Sequence, residues 1–87
     1  MAAIMNALQE AIKVHRRKSG LSQADLAKLA GVGKTVIFDL EHGKQSIRLD
    51  TLGKILFALN MNLSIRGPLI ASPEGVDLIA RATDSEQ

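Results

Sequence analysis

At 87 residues, with no cysteine and with His15 and His42 far apart, the chain has room for one domain and lacks the parts for a disulfide framework or a thiolate metal site. No apolar run approaches the roughly 18 to 20 residues that span a bilayer, and the start lacks the charged-then-apolar pattern of an export signal, so a cytoplasmic protein without membrane contact is expected. The net charge of +2 hides a division: up to Arg66 ten basic residues stand against five acidic ones, while beyond it Arg81 stands against Glu74, Asp77, Asp84 and Glu86. A basic body with an acidic tail favours a polyanionic partner for the body.

A chain this short buries only roughly 60 to 65 % of the surface its unfolded form exposes, so a second copy would help to stabilise it. Ile4, Leu8, Ala11 and Ile12 follow the helical period, and the cationic run His15-Arg16-Arg17-Lys18 suits the negatively polarised end of a helix over 4–19. His15 falls on the apolar side of that helix, as an edge-of-core residue. Ser22 is an N-cap candidate, with Asp25 in the first turn of a second helix over 23–30 whose Leu26, Ala27 and Ala30 form one apolar face. Gly31-Val32-Gly33 breaks it, a third helix follows over 34–41, and Gly43 ends that one.

A fourth helix over 49–59 gathers Leu49, Leu52, Ile55, Leu56 and Leu59 on about a third of its circumference, with Gly53 and Phe57 elsewhere. Residues 62–66, Asn-Leu-Ser-Ile-Arg, alternate with the period of a strand. With no second strand evident in the chain, pairing with the same segment of a second copy is expected. Gly67-Pro68 marks a boundary between a domain over 1–66 and a tail over 67–87. Within the tail, Ser72-Pro73-Glu74 reads as the start of a short helix carrying Val76, Ile79 and Ala80, or else the tail is disordered.

The stretch LSQADLAKLAGVGKTVIFDLEHG, residues 21–43, carries the functional signal. Two helices of eight residues, each apolar on one side and joined by a tight turn, let the first brace the second with its outer face bare. Leu21-Ser22-Gln23, the Leu26-Ala27 pair, Gly31-Val32, Ile37 and Glu41-x-Gly43 stand at the spacing of the lambda-like (Cro/C1-type) helix-turn-helix repressors, which the segment resembles. Extended through RLDTLGKILFALNMNLSIR, residues 48–66, the chain resembles the HipB-like antitoxins and repressors paired with HipA-type kinase toxins. The expected architecture is therefore all-α, a lambda-repressor-like bundle with one short C-terminal strand paired across a homodimer.

The resemblance implies that the third helix enters the major groove, and the projection agrees: Ile37 and Leu40 turn inward, leaving Lys34, Thr35, Phe38 and Asp39 outward. Lys34 suits a guanine edge or a phosphate, Thr35 a base edge or a thymine methyl. Phe38 has two readings, against thymine methyls or folded onto the fourth helix. Asp39 is not taken as a contact. The family position matched by Gln23 holds a backbone phosphate, and the loop of Lys44, Gln45 and Ser46, joined by Arg48, lies where the family meets phosphates. By the same analogy Arg16 and Glu41 form an internal ion pair.

Phe57, Leu63 and Ile65 are the candidate dimer contacts. No catalytic constellation stands out, so neither an enzyme nor a cofactor is expected. The expected partners are double-stranded DNA bearing an inverted repeat, a second copy, and a HipA-like kinase toxin. Two alternatives stay open: a stand-alone phage-type or chromosomal repressor, and a protein inhibitor that chiefly neutralises a kinase through its apolar tail.

Overall fold

The computed structural model describes residues 2–79, in which four helices precede a small hairpin: α1 (Ala2–Lys18), α2 (Gln23–Ala30), α3 (Lys34–Glu41), α4 (Leu49–Ala58), β1 (Ser64–Ile65) and β2 (Val76–Asp77). The helix boundaries follow local chemistry. α1 finishes on the basic run His15 to Lys18, and the Leu21 N–H turns back to the Arg16 carbonyl at 3.1 Å, which brings Leu21 to the core. α2 opens on a complete capping box: the Asp25 N–H donates to the Ser22 hydroxyl at 3.0 Å and the Ser22 N–H to the Asp25 carboxylate at 3.3 Å. Gly31, left-handed at φ 73°, closes it, and Val32 then drops against the core as the anchor of the turn into α3.

The core takes one stripe from each helix. Ile12, Leu26, Ala27, Ile37, Leu40, Leu52, Ile55, Leu56 and Leu59 are buried together, with α2 in contact with both α3 and α4. Three residues assigned to apolar faces from periodicity lie outside it. Ile4, in the first turn of α1 and ahead of the packed stretch, is 62 % exposed. Leu49 is 64 % exposed because it opens α4, with no preceding turn to cover it. His15 is exposed as well, its Nδ1 2.9 Å from the Ala11 carbonyl one turn back in α1.

The C-terminal region departs most from expectation. The strand expected over 62–66 shortens to β1, and its partner belongs to the same chain: β2 runs antiparallel, with Ser64 opposite Asp77 and Ile65 opposite Val76. The Leu78 N–H donates to the Leu63 carbonyl at 2.7 Å and extends the pairing. The short helix expected from Ser72 is replaced by a turn. Ser-Pro-Glu opens helices and turns alike, and Gly75 decides between them: it is left-handed at φ 85°, its N–H closes onto the Ser72 carbonyl at 3.0 Å, and a Cβ there would collide with the Ile65 carbonyl oxygen. Instead of capping a helix, the Ser72 hydroxyl donates to the Glu74 carboxylate at 2.6 Å. Ala80 and the rest of the expected tail lie outside the described residues.

The hairpin returns the chain to the body. Ile79 is buried in the core cluster and covers Gly53 on the outer side of α4. A Cβ at Gly53 would meet only the Ile79 Cδ1, at 3.7 Å, an ordinary contact distance. With space available and a helical backbone, Gly53→Ala should raise the unfolding free energy by about 0.5 to 1 kcal/mol, measured by chemical denaturation. A loss of stability would show that Ile79 packs against α4 more tightly than this distance allows.

Candidate nucleic-acid interface

α3 is held from behind. Ile37 and Leu40 enter the core, so helical geometry turns Lys34, Thr35 and Phe38 outward, where all three are exposed. A polar clamp reinforces this at the other end of the helix. Arg16 of α1 donates through Nε to Glu41 Oε2 at 2.6 Å and through Nη2 to Glu41 Oε1 at 2.9 Å, while its Nη1 reaches the Leu21 carbonyl at 2.8 Å. Gln23 of α2 adds an Nε2 hydrogen bond to Glu41 Oε1 at 3.1 Å. Three helices thus meet on one carboxylate, and the ion pair expected between Arg16 and Glu41 is present. Burial pushes the Glu41 carboxyl up, but the hydrogen bonds from Arg16 and Gln23, with the charges of Arg16 and Lys13, outweigh it and hold the group below the usual carboxylate range. The bond to Glu41 likewise raises the Arg16 guanidinium above its ordinary value, against a smaller effect of burial.

The expected contact residues fall into two groups around the bare face. Lys34 and Thr35 stand on the first turn of α3, where the unsatisfied N–H groups favour an anion. Thr35, Lys44, Ser46 and Arg48 line one cleft of about 160 Å³, together with Asp39 and Thr51, so residues from α3, the following loop and α4 converge there. Gln9 of α1 fixes that loop, its Nε2 donating to the Lys44 carbonyl at 2.6 Å. Gln45 folds onto its own loop instead, donating to the Gly43 carbonyl at 2.9 Å.

Three of the expected residues are modified by neighbours that sequence reasoning missed. Gln23 donates one amide hydrogen to Glu41, leaving the second to offer a phosphate. Arg48 pairs with Asp50 through two 3.0 Å hydrogen bonds, both side chains being well exposed. Those bonds, helped by the Thr51 N–H, pull the Asp50 carboxyl down to about 2, so the carboxylate stays beside Arg48 and partly offsets its charge. Phe38 settles outside the core, 47 % exposed, with its ring stacked on His42. The signal for Asp50 and His42 was present in short spacing, two and four residues away. Gln9 and Lys44 are 35 residues apart, and nothing local announces their contact.

The candidate dimer residues lie on another side. Phe57 is 52 % exposed and lines a groove of about 420 Å³ with Leu29, Gly53, Leu78 and Ile79. Leu63 borders an adjoining groove with Leu49 and the same Gly53, Leu78 and Ile79, whereas Ile65 is exposed on the hairpin. Among the described residues no helix is long and apolar enough to cross a membrane.

A family model described as Helix-turn-helix matches residues 12–65. The chain belongs to the XRE-type helix-turn-helix family. Among its relatives, it is 31 % identical over 70 residues to the protein named Antitoxin HipB of Escherichia coli (strain K12), covering 80 % of each. It is 33 % identical over 57 residues to an uncharacterized HTH-type transcriptional regulator, y4mF, of Sinorhizobium fredii, covering 66 % of this chain and 75 % of that one. A solved structure titled MDT Protein superposes with a TM-score of 0.66 at 28 % identity, over 74 % of this chain and 90 % of the other. As a member of this family the protein is a DNA-binding transcriptional regulator and not an enzyme.

Two measurements probe this helix-turn-helix unit. Replacing Glu41 by Gln leaves the Arg16 charge buried without its counterion and should lower stability by about 3 kcal/mol at neutral pH. Because the folded carboxyl titrates below its unfolded value, that deficit should be full above about pH 5 and shrink as the pH falls through the folded pKa. A deficit independent of pH in denaturant titrations would mean that the pair does not act through its charge. Lys34→Ala should weaken specific DNA binding by about 1 to 3 kcal/mol in equilibrium titrations, and an unchanged affinity would remove Lys34 from the interface.

Proposed function

We propose that this regulator is a homodimeric repressor that lays two α3 helices into an inverted-repeat operator, and that it is the antitoxin of a HipA-like kinase whose operon it controls. The observation that carries the DNA-binding part is the braced, outward face of α3, with Lys34, Thr35 and Phe38 directed away from the core. Beside it, Lys44, Ser46 and Arg48 supply donors for the phosphates flanking the groove, and Gln23 and Gln45 each offer the amide hydrogen left over from their internal bonds. Occlusion of a promoter by such a dimer represses it without further chemistry.

The dimer is proposed through the outer side of α4 and the hairpin, by way of Phe57, Leu63 and Ile65. The two adjoining grooves beside α4 are bordered by the exposed Leu29, Leu49, Phe57 and Leu78, a concentration of apolar surface that favours coverage. Since β2 already satisfies one edge of β1, strand pairing between copies is no longer needed to explain β1, and the helical face takes the larger share. The antitoxin role is supported by the likeness to the HipB antitoxin, which extends over 70 residues where the family model spans 12–65. A cytoplasmic site of action follows from this reading.

Selection of binding sites from random duplex DNA tests the proposal together with sedimentation. The expected outcome is a dimer and a two-fold symmetric site whose half-site centres are about 10 to 10.5 base pairs apart, or a multiple of that. A monomer bound to a single half-site would overturn the dimer. Copurification with a kinase encoded beside the gene tests the antitoxin role, and protection of the protein's own promoter without kinase binding would leave a stand-alone repressor.

A further inference from the structure

Phe38 stands on the outer face of α3, and His42, four residues on, caps the C-terminal end of that helix. Their rings stack with centroids 3.8 Å apart and planes inclined by 20°. The imidazole is tied down at one end, its Nδ1 2.7 Å from the Phe38 carbonyl oxygen. A carbonyl only accepts, so the Nδ1 hydrogen is directed at it and the ring is held in one orientation. The backbone assists, because the His42 N–H donates to the same carbonyl at 3.0 Å. An exposed phenylalanine on a helix ordinarily samples several rotamers and loses that freedom on binding. Here the imidazole covers one face of the ring and favours a single orientation before any ligand arrives.

The exposed part of Phe38 has no hydrogen-bonding capacity and shares its surface with Lys34 and Thr35. On the edges of base pairs in the major groove, the apolar group available to such a ring is the thymine methyl. We propose that His42 is a positioning residue for DNA sequence recognition, holding Phe38 so that its ring packs on a thymine methyl in each half-site. This rests on the reading that the outer face of α3 meets DNA. His42 itself contributes no base contact. Its effect is on how sharply Phe38 distinguishes thymine from a base lacking the methyl.

The test uses the full chain and a site selected from random duplex DNA, with each thymine replaced in turn by deoxyuridine, which lacks only the methyl. For the wild type, one thymine per half-site should be sensitive, with affinity falling about fourfold on loss of one buried methyl. Phe38→Ala should abolish that difference. His42→Ala should reduce it to less than about twofold, while circular dichroism and the salt dependence of binding stay those of the wild type. His42→Tyr, which keeps an aromatic ring over Phe38, should restore it. Full methyl discrimination in His42→Ala would overturn the proposal, as would a wild type indifferent to every methyl. Equal weakening on thymine and deoxyuridine sites in His42→Ala would also overturn it, showing that the imidazole touches DNA directly. Failure to select any site would instead bring down the reading of α3 as a recognition helix, and the proposal with it.

Discussion

The placement of α3 depends on a single carboxylate. Glu41 closes the helix, and its two oxygens take hydrogen bonds from Arg16 of α1 and Gln23 of α2, with the Arg16 and Glu41 side chains only 9 % and 2 % exposed. Such a pair contributes little net stability, since desolvation of both charges offsets most of their attraction. Its value is directional. Apolar contacts through Ile37 and Leu40 fix the depth of α3 but tolerate sliding, whereas a bidentate guanidinium accepts one angle and one register. The third nitrogen of Arg16, bonded to the Leu21 carbonyl, ties the same device to the turn that launches α2. Both halves of the helix-turn-helix unit are therefore referenced to one side chain of α1.

A second constraint acts from the opposite side. Ile79 returns from the hairpin to cover Gly53, so a residue remote in sequence completes the burial begun by Leu52, Ile55 and Leu56. The turn that makes this possible depends on Gly75, where backbone approaches backbone too closely for any side chain. The hairpin also contributes Leu78 to both grooves beside α4. Fold stability and the proposed dimer surface are thus built from adjacent residues of one short segment, and a change in the hairpin would act on both.

The helix-turn-helix unit was legible in the sequence because its determinants are local. Ser22 with Asp25 caps α2, Gly31 ends it, and Ile37 with Leu40 sets the orientation of α3, each within a few residues of the structure it specifies. The Arg16–Glu41 pair came from family likeness and not from spacing. What stayed hidden was longer in range or ambiguous in signal. The strand 64–65 was visible from its alternation, but its partner is two residues long and lies behind a Ser-Pro-Glu sequence equally suited to a helix start. Periodicity placed Leu49 inside because a helical wheel ignores helix ends. The wheel turned Lys34, Thr35 and Phe38 outward and family likeness supplied Gln23, Arg48 and the loop of Lys44, yet their neighbours stayed hidden: Asp50 beside Arg48, Gln9 beneath Lys44 and His42 over Phe38 each change what the expected residue can do.

Those neighbours alter the balance of forces proposed for the interface. Among the cations of the recognition region, Arg48 shares its charge with Asp50, and Asp39 lines the same cleft as Lys44. Attraction to phosphate is sequence-independent, so tempering it weakens binding everywhere on a duplex by a similar factor. The contacts that distinguish one sequence from another are then a larger share of the total. In that setting an apolar ring held in place on the outer face of α3 has more influence than it would on a strongly basic surface, because it acts on base identity without adding to the attraction for bulk DNA.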